Sequence, residues 1–124
     1  MVKDFLKQKK FAVVGSFRNK EKFAYKILLH LIKRGYEVFP VNPNLSEIEG
    51  RVCYKSISDI PHIVDVVDIV TPPLATEKIL KECLQKGIKR VWLQPGAESP
   101  RVIEFCGENG IAVIYGLCVM LQAE

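Results

Sequence analysis

The sequence has no apolar stretch approaching the 18 or so residues that would suggest a membrane span. Its N-terminus, MVKDFLKQKK, is charged where a signal peptide would be apolar. These absences set aside a membrane protein, and a cytoplasmic location is expected. Metal-binding side chains are also scarce. Two histidines, His30 and His62, and four cysteines at positions 53, 83, 106 and 118 include no close pair of the kind zinc sites use. No metal centre is expected, and free thiols rather than disulfides suit a domain of this size in a reducing compartment. Nothing pairs either histidine with a positioned nucleophile or acid, so no catalytic residue is assigned and no catalytic activity is expected of the chain on its own.

What is present is a chain of 124 residues, 48% hydrophobic and 26% charged, the size of one compact domain spanning 1–124. The formal net charge of +4 hides an asymmetry. Residues 1 to 35 hold ten Lys or Arg against two acids, and residues 36 to 124 hold eight against twelve. Lys33 and Arg34 suit a helix C-terminus, where cations interact favourably with the helix dipole. Arg18, Lys20 and Lys22 fall near a helix start, where cations are disfavoured unless an anion is bound. Their position favours a phosphate ligand. A nucleic-acid partner is not favoured, because no basic stripe with interleaved aromatics occurs outside this turn.

Apolar runs and helical patterns alternate along the chain. A strand over 11–15 leads into a helix over about 22–34, with Phe23, Ile27, Leu28, Leu31 and Ile32 at helical spacing and Gly35 closing it. A strand over 36–41 follows, then a degenerate unit with a short strand near Val52 to Tyr54 and a helical turn ended by Pro61. Val64 to Thr71 reads as a buried parallel strand stopped by Pro72 and Pro73, which also start the next helix. Leu74, Ile79, Leu80, Cys83 and Leu84 are expected on its apolar face. A strand over 90–94, a helix capped by Ser99, and a strand over 111–115 complete the pattern. Five or six such strands imply a Rossmann-like, doubly wound parallel α/β sheet in a single domain.

Ligands of such sheets bind beyond the carboxyl ends of the strands. The candidate binding residues are therefore Gly15, Ser16, Phe17 and Arg18 after the first strand, Asn42 and Pro43 after the second, Thr71, Pro72 and Pro73 after the fourth, Gln94 and Gly96 after the fifth, and Cys118 after the last. Gly15 lets a phosphate approach the backbone, and Arg18 offers a bidentate guanidinium. A dinucleotide site would need G-x-G-x-x-G, but the later glycine positions hold Phe17 and Lys20. It would also need an acid for the ribose hydroxyls where the chain has Asn42. An NAD(P)-dependent oxidoreductase or redox-sensing domain therefore remains only the alternative. Trp92 is expected in the core.

The segments VVGSFRN, GYEVFPVNP at 35–43, EIEGRVCY at 47–54, SISDIP at 56–61, DIVTPP at 68–73, VWLQPG at 91–96 and the late Cys118 resemble the small, single-domain CoA-binding proteins. That family is related to the CoA-binding domain of succinyl-CoA synthetase α subunits. The resemblance spans about residues 10 to 118. It implies coenzyme A or an acyl-CoA as the small-molecule cofactor, with the first turn near the phosphates and the second strand end near the adenine. The chain is expected to act as a stand-alone binding or regulatory module, with a partner subunit of an acyl-CoA ligase as an alternative and a protein partner or homo-oligomer left open. The chain departs from the family pattern at Ala24, where a Ser or Thr is frequent, and at Gly116-Leu117, where an Asp-Arg pair is frequent. The polar contacts of those residues do not carry over. A mixed disulfide between Cys118 and the cofactor is weighed against a buried, inert thiol.

Overall fold

Strands buried on both faces read as nearly continuous apolar runs, and here they build the sheet that the alternation predicts. A computed structural model describes residues 1–122. Its strands are β1 (Lys10–Val14), β2 (Glu37–Val41), β3 (Glu47–Ile48), β4 (Arg51–Val52), β5 (Val66–Ile69), β6 (Arg90–Leu93) and β7 (Ala112–Ile114). Five of them form one parallel sheet in the order β2-β1-β5-β6-β7. Its helices are α1 (Val2–Leu6), α2 (Phe23–Lys33), α3 (Pro73–Lys86) and α4 (Pro100–Glu108). Among the described residues no helix is long and apolar enough to cross a membrane.

Because side chains alternate across a strand, each strand feeds two apolar layers. Ala12, Val14, Phe39, Val41, Val67, Ile69, Val91 and Leu93 pack with Leu80 and Cys83 of α3 and Val102 and Cys106 of α4. Phe11, Val13, Val38, Val66 and Trp92 pack on the opposite face with Ile27, Leu28 and Leu31 of α2 and Phe5 of α1. Trp92 is fully buried, donates its indole N–H to the Leu117 carbonyl at 2.9 Å and meets Phe5 edge-on. It is a core residue, as expected.

The helix punctuation follows the sequence signals. Gly35 and Gly87 adopt φ of +88° and +78° just past α2 and α3, and the Ser99 hydroxyl accepts the Val102 N–H at the start of α4. Three details differ from expectation. The unit near Val52 to Tyr54 is not a sixth strand of the main sheet: β4 pairs antiparallel with β3, and Tyr54 makes one parallel bridge to Val41. The apolar face of α3 is Thr76, Leu80 and Cys83, while Leu74 is 84% exposed and Leu84 is also exposed. Leu74 falls in the first turn, before the helix meets the sheet. The short helix α1 was not anticipated, since five residues carry too little periodicity to register.

Of the glycines, only the one in the turn after β1 is closely packed. A Cβ on Gly15 would lie 2.6 Å from the Ala24 Cβ of α2, 3.2 Å from the Val70 carbonyl and 3.3 Å from the Val70 Cβ. Gly15 is thus required by packing, because α2 rests directly on the end of β1. Replacing Gly15 with Ala should destabilise the protein by about 1–3 kcal/mol through overpacking, read as a fall in the urea midpoint. The double variant Gly15→Ala/Ala24→Gly should recover part of that loss. Additive losses in this cycle would mean that the Ala24 contact is not the source of the strain.

Candidate functional site

The sheet order reverses between β1 and β5, since β2 lies to one side of β1 and β5 to the other. At such a switch point the loops after neighbouring strands diverge to opposite faces and leave a crevice. The crevice here is a cleft of about 640 Å³. Its walls come from the end of β1 (Gly15, Ser16), the end of β2 (Asn42, Pro43, Asn44), the segment Lys55 to Ser58, and Thr71 with the outer stripe of α3, namely Ala75, Lys78, Ile79 and Glu82.

A network centred on Asn42 holds the two strand ends together. Its side-chain amide donates to the Gly15 carbonyl at 2.6 Å, and its side-chain oxygen accepts the Asn44 N–H at 2.8 Å, a turn that Asn forms readily. The Gly15 N–H donates to the Val41 carbonyl, and the Asn42 N–H to the Tyr54 carbonyl. Asn42 is buried, so this carboxamide is committed to shaping the loop. An acid there would repel the carbonyl that the amide now binds. The replacement of the usual ribose acid therefore has a structural cause visible in the fold.

The start of α3 gives the cleft anion-binding character at one place. No side chain caps α3, which starts with Pro73 after Pro72, and no acid occupies its first turn. The start of α2 is uncapped too, but no α2 residue lines the cleft, and Phe23 borders a hollow on the other face. Uncapped N–H groups and the positive end of the helix dipole favour a negatively charged ligand. By contrast, α4 is closed by Ser99. Thr71 supports the α3 start: its hydroxyl lies 2.9 Å from the Thr76 hydroxyl, which also donates to the Pro72 carbonyl.

The sequence-derived candidates separate into three groups. Gly15, Ser16, Asn42, Pro43 and Thr71 line the cleft. Gln94 and Cys118 instead border a small apolar hollow of about 60 Å³ on the other face, with Phe23, Ile27, Val70 and Pro95. Phe17, Arg18, Pro72, Pro73 and Gly96 border neither. Phe17 is buried in the α2-side core, so only its backbone faces the turn, whereas Arg18 is exposed on that turn. Gly96, with φ of +100°, is exposed and gives its N–H to the Glu98 carboxylate.

Gln94 was expected to offer a polar group to the ligand, and its side chain is occupied elsewhere. Its amide donates to the Asp68 carboxyl at 2.8 Å, and its oxygen accepts the Val119 N–H at 3.3 Å. Asp68 is fully buried, and one of its oxygens has no hydrogen-bond partner among the described residues. Burial pushes its pKa up to about 7, against a smaller lowering effect from Gln94. The thiols of Cys83 and Cys106 are likewise raised by burial, to about 12 and about 11, which makes them poor nucleophiles.

Sequence reasoning missed the far wall of the cleft: Asn44, Lys55, Ser56, Ser58, Ala75, Lys78 and Glu82. One signal was available. Positions 75, 78, 79 and 82 follow the i, i+3, i+4, i+7 spacing of a single helix stripe, distinct from the core stripe at 76, 80 and 83.

Comparison with known proteins gives this geometry a context. A family model described as a CoA binding domain matches residues 9–124. The chain is 34% identical to an ADP-forming acetate–CoA ligase II of Archaeoglobus fulgidus, over 90% of this chain and 18% of that protein. It is 31% identical to the α subunit of an ADP-forming acetate–CoA ligase II of Pyrococcus furiosus, over 96% of this chain and 28% of that subunit. A solved structure of a conserved hypothetical protein from P. furiosus superposes with a TM-score of 0.89 at 40% identity, covering 94% of this chain and all of that one. The chain thus spans less than a third of the length of the two ligase relatives.

The buried Asp68 sets a pH dependence of stability. Its folded pKa of about 7 exceeds the ordinary value of 3.8, so the folded state keeps a proton that the unfolded chain releases. Stability should be greatest below the ordinary carboxylate range, fall as pH rises toward 7, and level off above it. The change is on the order of a few kcal/mol. Urea denaturation between pH 4 and pH 8 should show this slope in the wild type and a flatter profile in Asp68→Asn, which should be the more stable of the two at pH 8.

Proposed function

Because the chain belongs to the CoA-binding domain family, we propose that it binds coenzyme A or an acyl-CoA non-covalently in the switch-point cleft, acting as a stand-alone binding or regulatory module. The observation that carries this reading is the joining of a glycine turn to an uncapped helix start across one cleft. The diphosphate lies against Gly15, Ser16 and the first turn of α3, where backbone N–H groups are unclaimed by side-chain caps. The adenine sits toward Pro43 and Asn44 at the end of β2. Arg18, exposed on the turn, folds over the outer phosphate.

A second reading is favoured by the relatives that are ADP-forming acetate–CoA ligases or their α subunits. In this reading the chain supplies the cofactor-binding part of a ligase whose other parts reside in a partner. The NAD(P) alternative fits less well, since Phe17 is in the core and the Asn42 carboxamide is already bound to Gly15 and Asn44.

Titration calorimetry with CoA and NAD tests the reading: CoA should bind more tightly, and equal or tighter binding of NAD would overturn it. At 100 times its Kd, CoA should stabilise the fold by about 2.7 kcal/mol, seen as a higher melting temperature. Arg18→Ala should weaken CoA binding about 10- to 100-fold with little change in the melting temperature of the free protein. Unchanged affinity would reduce Arg18 to a solvated surface charge.

A further inference from the structure

The far wall of the cleft carries positive charge that the diphosphate position does not use. Lys55, on the segment after β4, and Lys78, on α3, both line the cleft and are exposed. Among the described residues, neither makes an ion pair within 4.0 Å or a hydrogen bond. The one acid on this wall, Glu82, is engaged by Ser58, whose backbone N–H and hydroxyl both donate to its Oε1 at 3.2 Å. Ile57 and Ile79 give the wall an apolar strip between these polar groups. The cleft therefore holds two separate places for negative charge. One is the glycine turn with the α3 start. The other is the lysine pair, with Lys78 roughly 5 Å along the α3 axis from Ala75 at a 1.5 Å rise per residue.

We propose that Lys55 and Lys78 read a second phosphate, a monoester on the ribose of the bound nucleotide, and so make the site selective for a nucleotide that carries both a diphosphate and a separate ribose phosphate. The inference rests on the CoA reading and deepens it. The diphosphate occupies the turn, the base lies on the apolar strip beside Pro43, and the ribose phosphate faces the two ammonium groups. Each lysine acts as a mobile point charge, so its contribution weakens as salt rises. The arrangement disfavours nucleotides whose ribose bears only hydroxyls, because they offer the two exposed cations no anion to pair with.

Calorimetry of the wild type, Lys55→Gln and Lys78→Gln with CoA, dephospho-CoA, NADP and NAD tests this, at 50 mM and 200 mM salt. The wild type should prefer CoA to dephospho-CoA by about tenfold or more at 50 mM salt. Each variant should lose most of that preference while binding dephospho-CoA within about twofold of wild type. Circular dichroism checks that the surface substitutions leave the fold intact. If the variants keep the full preference, or lose affinity for both ligands equally, the lysines do not read the ribose phosphate and the CoA reading stands. If the wild type binds neither CoA nor dephospho-CoA, the underlying reading fails and the inference with it; if it prefers NADP to CoA, the CoA reading fails, and the lysine assignment is overturned unless each variant loses that preference.

Discussion

The whole C-terminal edge of the sheet depends on one place where there is no room for a side chain. At Gly15 the backbone passes from β1 toward α2 with the Ala24 methyl pressed against it and Val70 beneath. That closeness seats α2 directly on the strand ends. It also leaves the Gly15 carbonyl directed at Asn42, which ties the end of β2 to the end of β1. The cleft is the space that remains once these two ends are joined and the chain after β5 departs to the other face. A glycine that a motif search would credit to phosphate approach thus has a prior duty in packing, and the two uses share one geometric demand.

Behind the site, the sheet tolerates a carboxyl group in its interior. Asp68 interrupts an otherwise apolar strand and is held by Gln94, which in turn receives the Val119 N–H. The chain of contacts links β5, the end of β6 and the C-terminal segment through polar atoms in a layer that is otherwise apolar. Such a link fixes where the C-terminal segment returns to the sheet, because a shift of Val119 would leave a buried oxygen unmatched. The small apolar hollow beside Cys118 lies next to this link and not next to the cleft. Cys118 therefore borders that hollow and does not line the cleft.

Much of the fold was legible because its signals are local. Continuous apolar runs marked the buried strands, Gly35 and Gly87 marked helix ends, and Ser99 marked a helix start. The cleft was half legible. Gly15, Ser16, Asn42, Pro43 and Thr71 stand at strand ends that any doubly wound sheet brings together. Lys55 was not legible and Lys78 only through the outer helix stripe it shares with Ala75, Ile79 and Glu82, because only the packing of α3 beside the segment after β4 brings both to one cleft. Gln94 and Phe17 stand at the strand ends where they are expected, but neither side chain lines the cleft. In both cases burial decided the matter: the phenyl ring belongs to the core, and the carboxamide is needed by a carboxyl group that sequence spacing alone did not connect to it.

The position of Pro40 in β2 bears on how the sheet meets its surroundings. Glu37 gives its N–H to β1, so alternation turns Val38, Pro40 and Asn42 outward. Pro40 has no N–H, and Tyr54 takes up both the Pro40 carbonyl and the Asn42 N–H. Among the described residues of β2, that side leaves Val38 with an outward pair of backbone groups. Among the described residues the opposite border, β7, pairs with β6 alone and presents an unpaired row along its outer side. The sheet is accordingly one-sided in its capacity to grow. An added strand, from another copy or another chain, meets a closed border beside the cleft and an open one at the far end, so enlarging the sheet leaves the cleft mouth untouched.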